Sequence, residues 1–238
     1  MAKIFFCGDP HGKYEHIIRA VETYRPDALV LLGDQTAQRP LDVESAPILD
    51  KTQIYWICGN HDTDSAENYD NLFESKLKGR NVQERRVVEV GGILIAGIGG
   101  VSREKIWDGN AAPIVDSPQD FMKTIGPGNK WRDGLPLRHR STVFPSTVRS
   151  LADMRVDILV THEGPDLHHF GKSALTKLAQ DLHVKKAFHG HHHQNINYSD
   201  GVWHGVSLCA ITELDTGIWK TKLINPGVMS KKRDPLAQ

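Results

Sequence analysis

Short apolar runs recur along this chain, each about the length of a buried strand and most ended by glycine or a polar cluster. Residues 4–7, 28–32, 54–57 and 157–160 are four such runs. Stretches with helical spacing lie between them. Residues 14–24 line up Ile17, Ile18 and Val21 on one side, and 146–154 and 173–182 also read as helices. The runs 87–90 and 93–96 flank Gly91-Gly92, a two-residue signal for a tight hairpin. Ala187 and Phe188 end a further short strand, and 202–206, 208–214 and 218–224 predict a closing antiparallel set. Alternation of strand-like and helical segments predicts an α/β protein.

The stretch from about 102 to 144 breaks this rhythm. It is rich in Gly, Pro, Trp and Asp, and its periodicity is weak. It reads as a long excursion from the core, of the kind that often serves as a functional loop or lid. Residues 1–229 are expected to form a single domain, with 230–238 a basic, frayed tail.

Composition narrows the class. A chain of 238 residues with 39% hydrophobic and 24% charged residues suits a globular protein with a sizeable core. Lys+Arg and Asp+Glu both number 29, so the formal net charge is +0. No global field favours nucleic acid or an anionic membrane. The three cysteines include no CxxC pair, which speaks against a disulfide framework or a zinc knuckle. Cys7 and Cys58 sit in apolar runs and are expected to be buried thiols. Neither a signal-peptide core nor a membrane-length apolar run is present, and a cytoplasmic location is expected.

One feature of composition changes the picture. Of thirteen histidines, five fall between His183 and His193. Five polar clusters, most of them led by glycine, each follow an apolar run: Gly8-Asp9-Pro10-His11-Gly12, Gly33-Asp34, Gly59-Asn60-His61-Asp62, Thr161-His162-Glu163 and Gly190-His191-His192-His193. In open α/β sheets the carboxyl ends of the strands meet at a ligand crevice, so clusters far apart in sequence can converge. Asp9, His11, Asp34, Asn60, His162, His191 and His193 offer carboxylate, imidazole and amide ligands and no thiolate. That set suits Mn, Fe or Zn. Seven ligands are too many for one ion with an open position, and about right for two divalent ions sharing a carboxylate. Side-chain alternation turns His192 away from its neighbours.

The ordered set DxH, GD, GNH(D/E), lone His and GHxH resembles the calcineurin-like metallophosphoesterase superfamily, and here it spans residues 9–193. The resemblance implies a four-layer α/β/β/α sandwich with two mixed sheets. It implies two divalent ions, Mn2+ foremost with Fe, Zn and Ni as alternatives. Asp9, His11 and His193 would hold the first, Asn60, His162 and His191 the second, and Asp34 would bridge them. His61 would face the leaving group as general acid or charge stabiliser, with Asp62 orienting it. The implied activity is hydrolysis of a phosphomonoester or phosphodiester by a metal-bridging hydroxide.

The chain departs from the branch holding protein phosphatases and dinucleoside-tetraphosphate hydrolases. That branch extends the second motif to GDxVDRG, whereas here Ala37 and Gln38 stand where it has Asp and Arg. Asp62 also replaces the Glu of its third motif, although Gly8-Asp9-Pro10-His11-Gly12 is similar to its opening. A nuclease or a phosphoprotein phosphatase of the same superfamily is the alternative, and a catalytically silent interaction module the alternative from another class. The balanced charge weighs against a nuclease, and His61 against a silent module.

Overall fold

The apolar runs become strands buried on both faces, and they assemble into two mixed sheets. The computed structural model describes residues 1–83 and 85–228; the tail expected at 230–238 lies outside the described residues. The first sheet contains β1 (Lys3–Cys7), β2 (Ala28–Leu31), β3 (Gln53–Trp56), β10 (Ile211–Asp215) and β11 (Lys220–Asn225), in the order β11-β10-β1-β2-β3. The second contains β4 (Val88–Val90), β5 (Ile93–Ile98), β6 (Ile158–Thr161), β7 (Lys186–His189), β8 (Ile196–Asn197) and β9 (Trp203–Gly205), in the order β4-β5-β6-β7-β9-β8. β1, β2 and β3 run parallel, as do β5, β6, β7 and β9; the outer strands are antiparallel.

Side chains alternate across each strand, so one run feeds two cores. Ile4, Phe6 and Val30 face Ile95, Val160 and Phe188 of the other sheet, and the Phe6 and Phe188 rings stack at 3.7 Å. Phe5, Leu29, Leu31 and Trp56 point outward onto α1 (Glu15–Tyr24), α2 (Leu41–Glu44) and α3 (Ala66–Phe73), through Ile17, Val21, Leu41 and Leu72. α4 (Pro118–Thr124) lies in the excursion after β5, and Ala96, Leu159, Ala187 and Trp203 pack against α5 (Pro145–Arg149) and α6 (Ser173–Asp181), through Val148, Leu175 and Leu178. The result is the expected α/β/β/α sandwich. Each large aliphatic or aromatic side chain buried this way contributes roughly 1.5–3 kcal/mol.

The predicted hairpin joins β4 to β5, with Val90 opposite Ile93 and both Gly91 (φ 56) and Gly92 (φ 84) left-handed, as a type I′ turn demands. Two expectations change. The helix expected over 146–154 is only α5; Ser150 caps it, its hydroxyl donating to Thr147 O, and turns follow. The closing antiparallel set divides between sheets. β9 runs parallel to β7 because Trp203 fills the outer core of the second sheet, and only β10 and β11 return to the first.

Strand register decides where the site lies. Cys7, Leu31 and Trp56 are level at the ends of β1, β2 and β3, and Ile98, Thr161 and His189 at the ends of β5, β6 and β7. All the predicted clusters therefore leave the sheets at one edge. Among the described residues no helix is long and apolar enough to cross a membrane.

Candidate active site

The loops at this edge carry unusual backbone. Asp9 (φ 34), His11 (φ 43), Asp34 (φ 49), His191 (φ 63) and His193 (φ 52) all have positive φ. A non-glycine residue there costs on the order of 1–3 kcal/mol, and such outliers gather at functional sites. Neighbouring groups hold the strain in place. His11 N donates to Asp34 O at 3.0 Å, Gly12 N to Gln35 O at 2.9 Å, and His191 N to Asp9 Oδ2 at 2.8 Å. The two left-handed residues in the last motif, rather than an extended strand, send His191 and His193 one way and His192 another. His192 stacks on His168 at 3.8 Å.

Asp9, Asp34 and His162 are fully or nearly buried at the centre. His162 Nε2 lies 3.5 Å from Asp34 Oδ2 and 3.2 Å from Asn60 Oδ1, and its Nδ1 is 2.8 Å from Leu32 O. Asp34, His162 and His191 each offer a ligand atom within 4.8 Å of the others. On the opposite flank His193 Nε2 is 3.2 Å from Asp9 Oδ2, and His11 Nε2 is 3.8 Å from Asp34 Oδ2. Two groups of donors thus meet at Asp34: Asp9, His11 and His193 on one side, Asn60, His162 and His191 on the other. Close packing needs glycine at two points. A Cβ on Gly33 would strike the His162 ring, and one on Gly190 would strike the Asp9 carboxylate.

This cluster is short of positive charge. Asp9 Oδ1 is buried and has no hydrogen-bond partner. Burying a carboxylate oxygen without compensation is costly, so the centre calls for a cation. Burial pushes the Asp34 carboxyl up and the His162 imidazole down. Their mutual attraction outweighs both effects, holding Asp34 well below the usual carboxylate range and His162 above the usual imidazole range. Burial, together with the His162 charge, takes His191 down to about 3, which leaves a neutral ring able to donate its lone pair. The donor set therefore fits divalent ions. The three cysteines stay out of it; all are buried, and Cys209 Sγ faces the Asp9 and Pro10 carbonyls at 3.8 and 3.6 Å.

His61 lies at the mouth, its ring centroid 5.6 Å from that of His11. Its Nδ1 is 2.6 Å from Asp64 Oδ2, and its backbone N donates to Asp34 Oδ1 at 2.8 Å. Asp62, expected to orient His61, does something else. It is buried, and its two oxygens accept from Thr36 N and Gly59 N at 2.8 Å each, which ties the second motif to the third. Burial, helped by the nearby Asp34, raises its carboxyl to about 7. The contact with His61 passes to Asp64, which the sequence reading missed. The available signal was a carboxylate three residues after His61, within reach on a tight turn. Asp62→Ala would leave the buried Gly59 N–H and the partly buried Thr36 N–H unpartnered, and chemical denaturation is expected to show a loss of about 2–4 kcal/mol. A change below 0.5 kcal/mol, on the order of a surface substitution, would contradict that structural role.

Two other polar residues near this edge are buried. Glu163 is buried and accepts from Ser102 N and Oγ at 2.7 Å each, with Lys172 Nζ at 3.5 Å. His189 is buried, with Nε2 2.9 Å from Tyr198 Oη. The 102–144 excursion is anchored. Arg132 grips Asp70 of α3 with bonds of 2.6 and 2.8 Å, and Trp131 packs edge-on against Tyr69 at 4.8 Å. Beside His192, an open depression of about 880 Å³ is lined by His168, His169, Phe170 and Tyr198.

Known proteins resemble this chain in family and in fold. The family model described as calcineurin-like phosphoesterase matches residues 2–195. An uncharacterized Haemophilus influenzae protein is 38% identical over 199 residues, covering 82% of this chain and 85% of that one. The solved structure of TT1561 from Thermus thermophilus superposes with a TM-score of 0.64 at 15% identity, over 94% of this chain and 99% of its own, a likeness of fold.

Proposed function

The chain belongs to the calcineurin-like phosphoesterase family, whose activity is metal-dependent hydrolysis of phosphoesters, and from that premise we propose that it cleaves a phosphomonoester or phosphodiester at the Asp9–His193 centre. The observation that carries this reading is the buried Asp34 carboxylate shared by two groups of donors, beside an Asp9 oxygen with no partner. Asp9, His11 and His193 would hold one ion, Asn60, His162 and His191 a second, and Asp34 both. Mn2+ is the first choice, with Fe, Zn and Ni as alternatives. When bound, the ions supply positive charge against the phosphate and a source of hydroxide near neutral pH.

The chain's own groups do the rest. His61 commits Nδ1 to Asp64, which leaves Nε2 to hold a proton for the departing oxygen. We take residues 1–229 as one domain and 102–144 as its lid. Three buried cysteines with no CxxC pair fit a reducing compartment, and we place the protein in the cytoplasm.

The test is direct. Protein stripped by chelator and dialysed is expected to be inactive on p-nitrophenyl phosphate and on bis(p-nitrophenyl) phosphate. Mn2+ is expected to restore turnover, and mass spectrometry to find two ions per chain. Full activity in excess chelator would sink the reading, and the ratio of monoester to diester rates identifies the substrate class.

A further inference from the structure

We propose that Arg103 binds the phosphoryl oxygens of the substrate, as a cation brought to the metal edge by the excursion. The proposal rests on the reading of the centre as a phosphoesterase site. β5 ends level with β6, Ile98 opposite Thr161, so the excursion leaves the fold at the edge from which His162 projects. Ser102 is pinned to Glu163 through both its N–H and its hydroxyl at 2.7 Å, which fixes the residue before Arg103 beside the His162 loop. The guanidinium points to the other flank. Its Nη2 reaches Ser141 Oγ at 3.4 Å, and Ser141 Oγ lies 2.7 Å from Thr63 Oγ1, next in sequence to Asp64. Arg103 therefore stands between the His162 loop and the His61–Asp64 turn.

The partners of this side chain are informative. Nη2 donates to Arg138 O at 3.0 Å and Nε to Thr142 Oγ1 at 3.0 Å. These are a carbonyl and hydroxyls; none is a carboxylate. A half-buried guanidinium oriented by neutral acceptors keeps its charge available for an anion, and its planar fork matches phosphate. Arg132 provides the contrast, since its bidentate pair with Asp70 neutralises it and makes it a clamp for the excursion. That clamp, with Arg140 over the Trp131 and Tyr69 rings, steadies the segment that positions Arg103. Burial and the neighbouring Arg138 hold the Arg103 guanidinium below its usual value, while Asp64 and Glu163 act the other way, which agrees with a place near both carboxylates.

The experiment uses the full chain loaded with Mn2+ and inorganic phosphate as the probe. Calorimetric titration is expected to show binding to the wild type, weakened about tenfold or more in Arg103→Met, with KM rising by a similar factor. Arg103→Lys keeps the cation and the bulk but loses the fork, and it is expected to fall between. Metal content and cooperative melting are measured on each variant. Unchanged phosphate affinity in a variant that melts cooperatively overturns the proposal, and so does a wild type that binds no phosphate. The two readings can fail separately. A wild type that hydrolyses no ester, yet loses phosphate affinity on Arg103→Met, contradicts the proposed activity and supports Arg103 as an anion site. An active wild type whose KM and phosphate affinity are untouched by Arg103→Met contradicts Arg103 alone.

Discussion

Asp34→Asn is expected to strip both metal positions at once, leaving well under one ion per chain after dialysis and activity near background. The reason is the place of Asp34 at the junction of the two donor groups, 3.5 Å from His162 and 3.8 Å from His11. An amide removes the negative charge without changing the size of the side chain, so the fold is not the main thing disturbed. Breaking one partner of a buried charge interaction costs about 3–5 kcal/mol. At ~1.4 kcal/mol per decade, that is roughly a hundred- to several-thousandfold in affinity for each ion. The control is His11→Ala, which touches one donor group and is expected to lower occupancy of one position while the other persists. Mass spectrometry and metal analysis read both. Loss of a single ion in Asp34→Asn, with the second held as tightly as before, would remove Asp34 from its shared role.

How much of this could be read beforehand follows physical lines. β1, β2, β3, β6 and β7 were legible because parallel strands buried on both faces need unbroken apolar runs. The β4–β5 hairpin was legible because only a two-glycine turn carries positive φ so cheaply at both centres. The convergence of the polar clusters was legible for a different reason: clusters placed directly after parallel strands meet where those strands end. Less visible was everything set by long-range contact. The sheet that takes 202–206 depends on where Trp203 finds its core, and local pattern says nothing of that. α3 carries a weak apolar signal, with only Asn71 and Leu72 buried, so it escaped notice together with the Asp64 turn before it. Asp62 was misjudged because adjacency to His61 suggested contact, while the tight turn rotates its carboxylate inward to Thr36 and Gly59. The anchoring of the excursion was not legible because Arg132 and Arg140 meet Asp70 and Tyr69 only across long sequence separations.

The turn that hid Asp64 also makes the role of His61 separable from metal binding. His61 touches the centre in two ways: its backbone N–H supports Asp34 Oδ1, and its imidazole faces out, paired with Asp64. His61→Ala keeps the first and deletes the second, so metal content is expected to stay near wild type while kcat falls about 10²- to 10⁴-fold. Asp64→Asn keeps the ring and loses only the group that orients it, and a loss on the order of ten- to a hundredfold is expected, as for other supporting partners of a functional histidine. Because Asp64 acts through His61, the double variant is expected to be no slower than His61→Ala alone, a non-additivity that independent effects would not give. The leaving group supplies a second check. A proton donor matters most when the departing oxygen is basic, so both variants should lose more on phenyl phosphate than on p-nitrophenyl phosphate. Equal losses on the two esters, or metal lost from His61→Ala, would reduce the pair to scaffolding. A loss that grows with leaving-group basicity at constant metal content instead places the His61 proton on the oxygen that departs, and Asp64 behind it.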